Sequence, residues 1–203
     1  MVQSPAADVD AEPKHGATAG SSSSNGGAAK PYPSSYLDTK SAESEIHHYA
    51  QTGDVEEVRR CLEGGISRVN EVDDLGCTPA HLAGAMGHTS VVKLLVEEYG
   101  AAVDARDDAL CTALHAACEG GHPVVVELLL RLGAEIDARN GKQQTPLHYA
   151  CGYGQVGAAQ QLAVHGASPG VRDAQGNTPL HLACSEGGVD VVRLLLATGS
   201  PLN

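Results

Sequence analysis

From about residue 41 onward, short apolar stripes at helical spacing alternate with polar, glycine-marked breaks. Val91, Val92, Leu94 and Leu95 form one stripe. Val125, Val126, Leu128 and Leu129 form a second, and Val191, Val192, Leu194 and Leu195 a third. Apolar residues recurring three and four apart predict short helices that bury one face. A smaller-residue helix precedes each of these. In residues 140–172 its stripe is Leu147, Ala150 and Cys151. Thr145 is placed to cap that helix, its hydroxyl accepting from exposed first-turn amides. Pro146 then occupies the first helical position, where its missing N–H costs nothing. Gly154 is a left-handed stop. A second helix is expected from about Val156 to Val164, ended by Gly166. Asn140-Gly141 marks the preceding turn and favours positive φ there. The unit is turn, helix, helix, loop.

The same unit recurs. Thr78-Pro79-Ala80-His81, Thr112-Ala113-Leu114-His115, Thr145-Pro146-Leu147-His148 and Thr178-Pro179-Leu180-His181 share a pattern, and Ser44-Glu45-Ile46-His47 is a worn first copy. The Thr or Ser positions are 34, 34, 33 and 33 residues apart. Gly87, Gly121, Gly154 and Gly187 end the first helices, and Gly100, Gly133, Gly166 and Gly199 the second. A two-helix unit of this size cannot cover its own apolar faces. Stacking in a row can, which predicts an all-α solenoid of helix-turn-helix units joined by short hairpin loops.

The period, the Thr-Pro-Leu-His-x-Ala signature and the Gly-His or Gly-Gly stops resemble ankyrin repeats. The resemblance covers about residues 40–203 as five units, near 40–72, 73–106, 107–139, 140–172 and 173–203. The departures carry their own expectations. Glu45 replaces the Pro in the first unit, and Arg60 and Cys61 dilute its second helix, which suits an N-terminal cap. One extra residue in Val96-Glu97-Glu98-Tyr99 lengthens that helix end. Ala158, Ala159 and Gln161 stand where other units have Val, Val and Leu, so the fourth unit is the expected soft point. The last unit is as apolar as an internal one. That predicts an array continuing past Asn203, or an end covered by a partner or by self-association.

Composition changes this picture at the N-terminus. Residues 1–40 are rich in Ser, Ala, Gly and Pro and hold few large aliphatics. Such a stretch buries too little apolar surface to offset its ordering entropy, so it reads as a disordered arm, with Ser4-Pro5 and the serine run as candidate phosphorylation sites. The formal charge is −12. The arm holds four acids and three bases, leaving −11 on the remaining 163 residues. That surface repels phosphate backbones and anionic lipid, which disfavours direct nucleic-acid binding. The longest apolar run, Val124–Leu130, includes Glu127 and is too short to span a bilayer, so no membrane insertion is expected. The N-terminus has neither the basic and apolar segments of a secretory signal nor the arginines of a transit peptide. The six cysteines include no C-x-x-C pair, which points to a reducing, cytoplasmic or nuclear setting.

Reactive chemistry is largely excluded by spacing. The five in-register histidines lie a helix-packing distance of about 8–10 Å apart, too far to share a metal bound at about 2 Å. They are expected to bond backbone or the Thr hydroxyl within each unit. Cys118, Cys151 and Cys184 are similarly too far apart to pair and read as small buried apolar residues. Gly152-Tyr153-Gly154-Gln155-Val156-Gly157 matches G-x-G-x-x-G, but a helix precedes it where a nucleotide site needs a strand. No cofactor, metal or catalytic residue is expected.

The resemblance implies a non-catalytic protein-interaction module, or the targeting part of a longer enzyme, ubiquitin ligase, kinase or transporter. It also implies that hairpin tips and first helices line a concave face where another protein binds, and the acidic surface makes a basic or amphipathic segment the expected one. The expected contacts there are Asp73, Asp74, Leu75 and Met86, then Asp107, Asp108, Leu110 and Glu119, then Arg139, Lys142, Tyr149 and Tyr153, and finally Gln175 and Glu186. Tyr149, Tyr153, Met86 and Leu110 are the expected anchors in a chain without Trp or Phe.

Overall fold

The computed structural model describes residues 45–65 and 68–198. The arm of residues 1–40, the capping Ser44, Gly199 and the last residues lie outside this range. Among the described residues the regular elements are all helices, joined by turns and hairpin loops. The first helices of the units are α1 (Glu45–Thr52), α3 (Pro79–Met86), α5 (Ala113–Gly120), α7 (Pro146–Gly152) and α9 (Pro179–Ser185). The second helices are α2 (Val55–Glu63), α4 (Thr89–Lys93), α6 (Pro123–Arg131), α8 (Val156–Val164) and α10 (Val189–Ala197). First helices pack on first helices along one layer, and second helices on second helices along the other. The result is an all-α repeat solenoid. One apolar core runs the length of the stack, from Ile46 and Val58 through Leu95, Leu114 and Leu129 to Leu162 and Leu195.

The Thr-x-x-His motif is a cap that also ties units together. In the second unit Thr78 N–H donates to His81 Nδ1 at 3.1 Å, and the hydroxyl lies 2.9 Å from the same nitrogen. His81 Nε2 lies 3.1 Å from the carbonyl of Cys111 in the next unit. A carbonyl only accepts, so Nε2 carries the proton and Nδ1 takes both Thr bonds. His115 and His148 repeat the arrangement, with Nε2 on the Gln144 and Asn177 carbonyls. His47 Nε2 reaches the Cys77 carbonyl at 2.9 Å. The histidine stands in the capping-box position usually held by Glu or Gln, and its far side is a rung to the next repeat.

Two further ladders have no counterpart in the expectations above. His88, His122 and Gln155, just before the second helices, donate from Nε2 to the Gln51, Ala85 and Glu119 carbonyls of the preceding unit. Asn70, Asp104 and Asp137 accept from the amides of Ala102, Glu135 and Ser168 in the following unit. Both sets follow the repeat spacing, so the signal was present in the sequence as in-register polar residues.

The extra residue near Val96 is absorbed by a π-helical turn over Leu94–Glu98, which continues α4. An inserted residue inside a helix commonly takes this form. Tyr99, just beyond it, donates to Glu63 Oε1 at 3.2 Å, and Arg59 donates to Glu98 Oε2 at 2.8 Å, both across to α2.

Several expectations need correction. Cys61 is fully buried, so it belongs to the core of α2 rather than to a polar side. Gln161 is half-buried and not a core amide, so it does not weaken the fourth unit by burying an unpaired group. The softness of that helix rests on Ala158 and Ala159, which are buried where α6 has Val125 and Val126. Cys184 is exposed while Cys118 and Cys151 are buried. No described helix packs on the side of α9 where a further unit would cover it. The positive φ expected at Asn140-Gly141 falls on Gln143 instead.

Candidate functional site

The hairpin tips come from one loop used four times. Asp73 Oδ1 accepts from the amides of Leu75 and Cys77 at 2.9 and 2.8 Å. Asp107, Asn140 and Asp173 hold their own loops in the same way. Within each loop the residue three positions on donates back to the carbonyl of the Asp or Asn. That residue takes a left-handed conformation: Gly76, Leu110, Gln143 and Gly176 at φ 74°, 61°, 59° and 83°. A turn followed by one left-handed residue is a common hairpin form, and glycine is its cheapest occupant. The tips are joined edge to edge: Asp108 N–H donates to Leu75 O, Gly141 to Ala109 O and Ala174 to Lys142 O, each at 2.9–3.0 Å. The tips and the first-helix layer therefore form one continuous, hydrogen-bonded face.

The expected contact residues divide on this face. Asp74, Leu75, Asp108, Leu110, Arg139, Lys142, Tyr153, Gln175 and Glu186 are exposed. Asp73 and Asp107 spend their carboxylates on their own loops and are loop-forming residues rather than free acids. Met86 is 8% exposed and packs with Cys77, Leu82, Ala85 and Ala116 in a small cluster, so it is no anchor as it stands. Ala85 is fully buried there. Small neighbours such as Ala116 let the Met86 side chain lie down on the adjacent helix.

Tyr149 is half-buried. Its hydroxyl accepts from Asn140 Nδ2 at 3.1 Å and lies 3.2 Å from Cys111 Sγ. Its ring meets that of His115 edge-on at 5.3 Å between centroids. Burial, reinforced by Cys111, pushes this phenol well above its ordinary value. Tyr149 is thus a brace between the third and fourth units. Tyr153, one helical turn on, is 56% exposed and its ring centroid lies 6.0 Å from that of Tyr149. Glu119 of α5 is only 6% exposed. Burial first, and then the Glu119 carboxylate beside it, raise the Tyr153 phenol to about 12. Glu119 also acts on Tyr149 and Cys111.

The G-x-G-x-x-G stretch runs from the end of α7 into the start of α8, with Gly154 as a left-handed break at φ 70°. Its preceding element is a helix, not the strand that a nucleotide site needs. Among the described residues no group of three or more His, Cys, Asp or Glu clusters to hold a metal ion. No described helix is long and apolar enough to cross a membrane.

A family model described as ankyrin repeats, in three copies, matches residues 46–140 and 114–203. Among curated proteins, acyl-CoA-binding domain-containing protein 1 of Arabidopsis thaliana is 43% identical over 53 residues. That stretch is 26% of this chain and 15% of the relative, so the chain spans a small part of that protein's length.

Proposed function

We propose, on the premise that this chain belongs to the ankyrin-repeat family, that it is a non-catalytic scaffold that docks a segment of a partner protein against its tips and first helices. Ankyrin repeats are in general protein-interaction modules. The observation that carries the reading is the exposure of Leu75, Leu110 and Tyr153 along one face whose backbone is fixed by hydrogen bonds between units. Rigid aromatic and aliphatic side chains on a preorganised frame lose little entropy on binding. The acidic surface favours a basic or amphipathic segment, and a cytosolic or nuclear setting fits the buried free thiols.

Tyr153→Ala combined with Leu110→Asp tests it. Affinity capture with this chain is expected to lose the partners that the unchanged chain retains, whereas Val164→Asp, on an exposed position of α8, retains them. Loss with the second substitution instead would move the interface to the second-helix layer.

A second reading has its own support. Val189 and Leu196 of α10 are exposed at the end of the stack. In that reading this face packs on further structure, as in the targeting part of a multidomain protein. A chain extended by one designed repeat on α9 and α10 would then unfold at a higher temperature than the chain itself.

A further inference from the structure

Three departures from the repeat fall together where the third and fourth units meet. Glu119 occupies a slot that holds Gln51, Ala85, Gly152 and Ser185 in the other units. Tyr149 and Tyr153 stand where the third unit has Ala116 and Gly120 and the fifth has Leu182 and Glu186. Leu110 and Gln143 hold the left-handed tip position that Gly76 and Gly176 fill in the second and fifth units. A leucine at φ 61° is strained, and retained strain with a 46% exposed apolar side chain is a mark of function rather than of folding.

We propose that this junction is a receptor for one arginine of the partner segment, laid flat on the Tyr153 ring with its edge toward the Glu119 carboxylate, with an aliphatic residue of the same segment against Leu110. The proposal rests on the docking face described above and names the chemistry it selects. A guanidinium is flat, so it stacks on a phenol ring while its edge donates to a carboxylate. The junction offers both: an exposed Tyr153 ring steadied by the braced Tyr149, and a Glu119 carboxylate that already acts on the Tyr153 hydroxyl. Its low exposure keeps water from screening the attraction, so a cation entering there gains more than at a rim acid.

The tips limit the partner further. Arg139 and Lys142 are exposed beside this junction, and Asp74 and Asp108 on the two preceding tips. A polybasic run laid across the face would meet Arg139 and Lys142, and like charges brought together reject a partner. The segment selected therefore carries a single arginine with an apolar neighbour, rather than a cluster of lysines and arginines.

Random dodecapeptides displayed on phage and panned against the full chain test this. Enriched sequences are expected to share one arginine within a few residues of Leu, Ile, Val or Met. A synthetic enriched peptide should bind Glu119→Gln and Tyr153→Ala roughly tenfold more weakly each. Replacing its arginine by citrulline should lose a similar factor and leave no further loss on Glu119→Gln. Circular dichroism and thermal melting confirm that each variant is folded. A photo-crosslinking residue in the peptide separates the two levels of the reading. Peptides that crosslink to α5, α7 or the tips but lack a cation, or that ignore Glu119→Gln, overturn the arginine assignment and leave the docking face standing. Peptides that crosslink to the second-helix layer, or no enrichment at all, overturn both.

Discussion

The histidine rungs make this solenoid sensitive to mild acid, and the size of the effect follows from His115. Its ring is buried between the Thr112 cap and the Gln144 carbonyl. Burial first, and the Arg106 and His81 charges with it, hold the folded ring down to about 4, against the bonds to the Gln144 and Ala138 carbonyls that pull the other way. The geometry explains the direction. Nδ1 must stay bare to accept from Thr112 N–H, and a proton there breaks that bond and forces the hydroxyl to turn from donor to acceptor. The unfolded ring keeps its ordinary value of 6.5. Between 6.5 and 4 the unfolded state therefore binds more protons than the folded one, so stability falls as the pH falls through that window. At pH 5 the unfolded ring is nearly all protonated and the folded ring nearly all neutral, a loss of about 2 kcal/mol relative to pH 7.5 from this residue alone. His81, His148 and His122 are shifted down by burial as well and add in the same direction. Against a total of roughly 5–15 kcal/mol for a typical domain this is a large share. Urea unfolding at pH 7.5 and pH 5 measures it, in a range where ordinary carboxylates remain ionised. His115→Ala should be less stable at pH 7.5 and show a smaller drop on acidification, by about the same 2 kcal/mol. Relief of repulsion among the acids works the other way, since the net charge of −12 shrinks on acidification. Because that background is common to both chains, a His115→Ala variant that loses as much stability from pH 7.5 to 5 as the unchanged chain would refute the neutral-rung account.

Other expectations follow from the same geometry. Leu110→Gly should raise stability by about 1 kcal/mol by relieving the left-handed strain while weakening partner binding, read by thermal melting and peptide titration. Gly87→Ala should cost clearly more than Gly166→Ala in the same melting assay: both are left-handed, but a Cβ at Gly87 would sit 2.5 Å from His122 Nδ1, whereas nothing lies within 4 Å at Gly166. Backbone amides of α8 should exchange with deuterium faster than those of α6, because two buried Ala in place of two Val remove about 3 kcal/mol of burial. Iodoacetamide should label Cys184 readily in the native state and leave Cys118 and Cys151 unlabelled until the chain unfolds, as mass spectrometry of the peptides would show.

The architecture was legible because it is written four times. Each Thr-x-x-His and each helix-ending glycine is a local device, and the 33–34 residue period tells where it recurs. The face of the candidate site was legible too, but not the state of its residues. Glu119 and Met86 occupy slots that are exposed in the fifth unit, at Ser185 and Glu186, yet both are buried. What covers them is the neighbouring unit, and burial between units depends on the size of residues 33 or 34 positions away. Tyr149 was placed as an anchor because tyrosine suits interfaces, but its hydroxyl finds Asn140 and Cys111, partners 9 and 38 residues away. Asp73 and Asp107 looked like surface acids until their amide partners were located. In each case the side-chain type was compatible with either role, and the choice was made by a neighbour in another unit.

That asymmetry between frame and face also bears on where selectivity resides. The polar residues of the ladders are spent on the fold: His on the next unit's carbonyl, Asp or Asn on its own hairpin, Asn70, Asp104 and Asp137 on the following loop. Breaking one of these structural bonds to bind a partner would cost what the new contact supplies. Recognition therefore falls to residues outside the pattern. Among these, exposed Leu75 sits beside a glycine that relaxes its loop, whereas Leu110 itself occupies the strained position. Among the described residues, only the junction of the third and fourth units combines such strain with a buried carboxylate and an exposed ring. Substituting the exposed Tyr153 there should change which partner is bound with little change in stability, while substituting the repeated residues should change stability for every partner alike. Stability and peptide affinity measured on the same set of variants should consequently be uncorrelated across the junction and tightly correlated along the ladders.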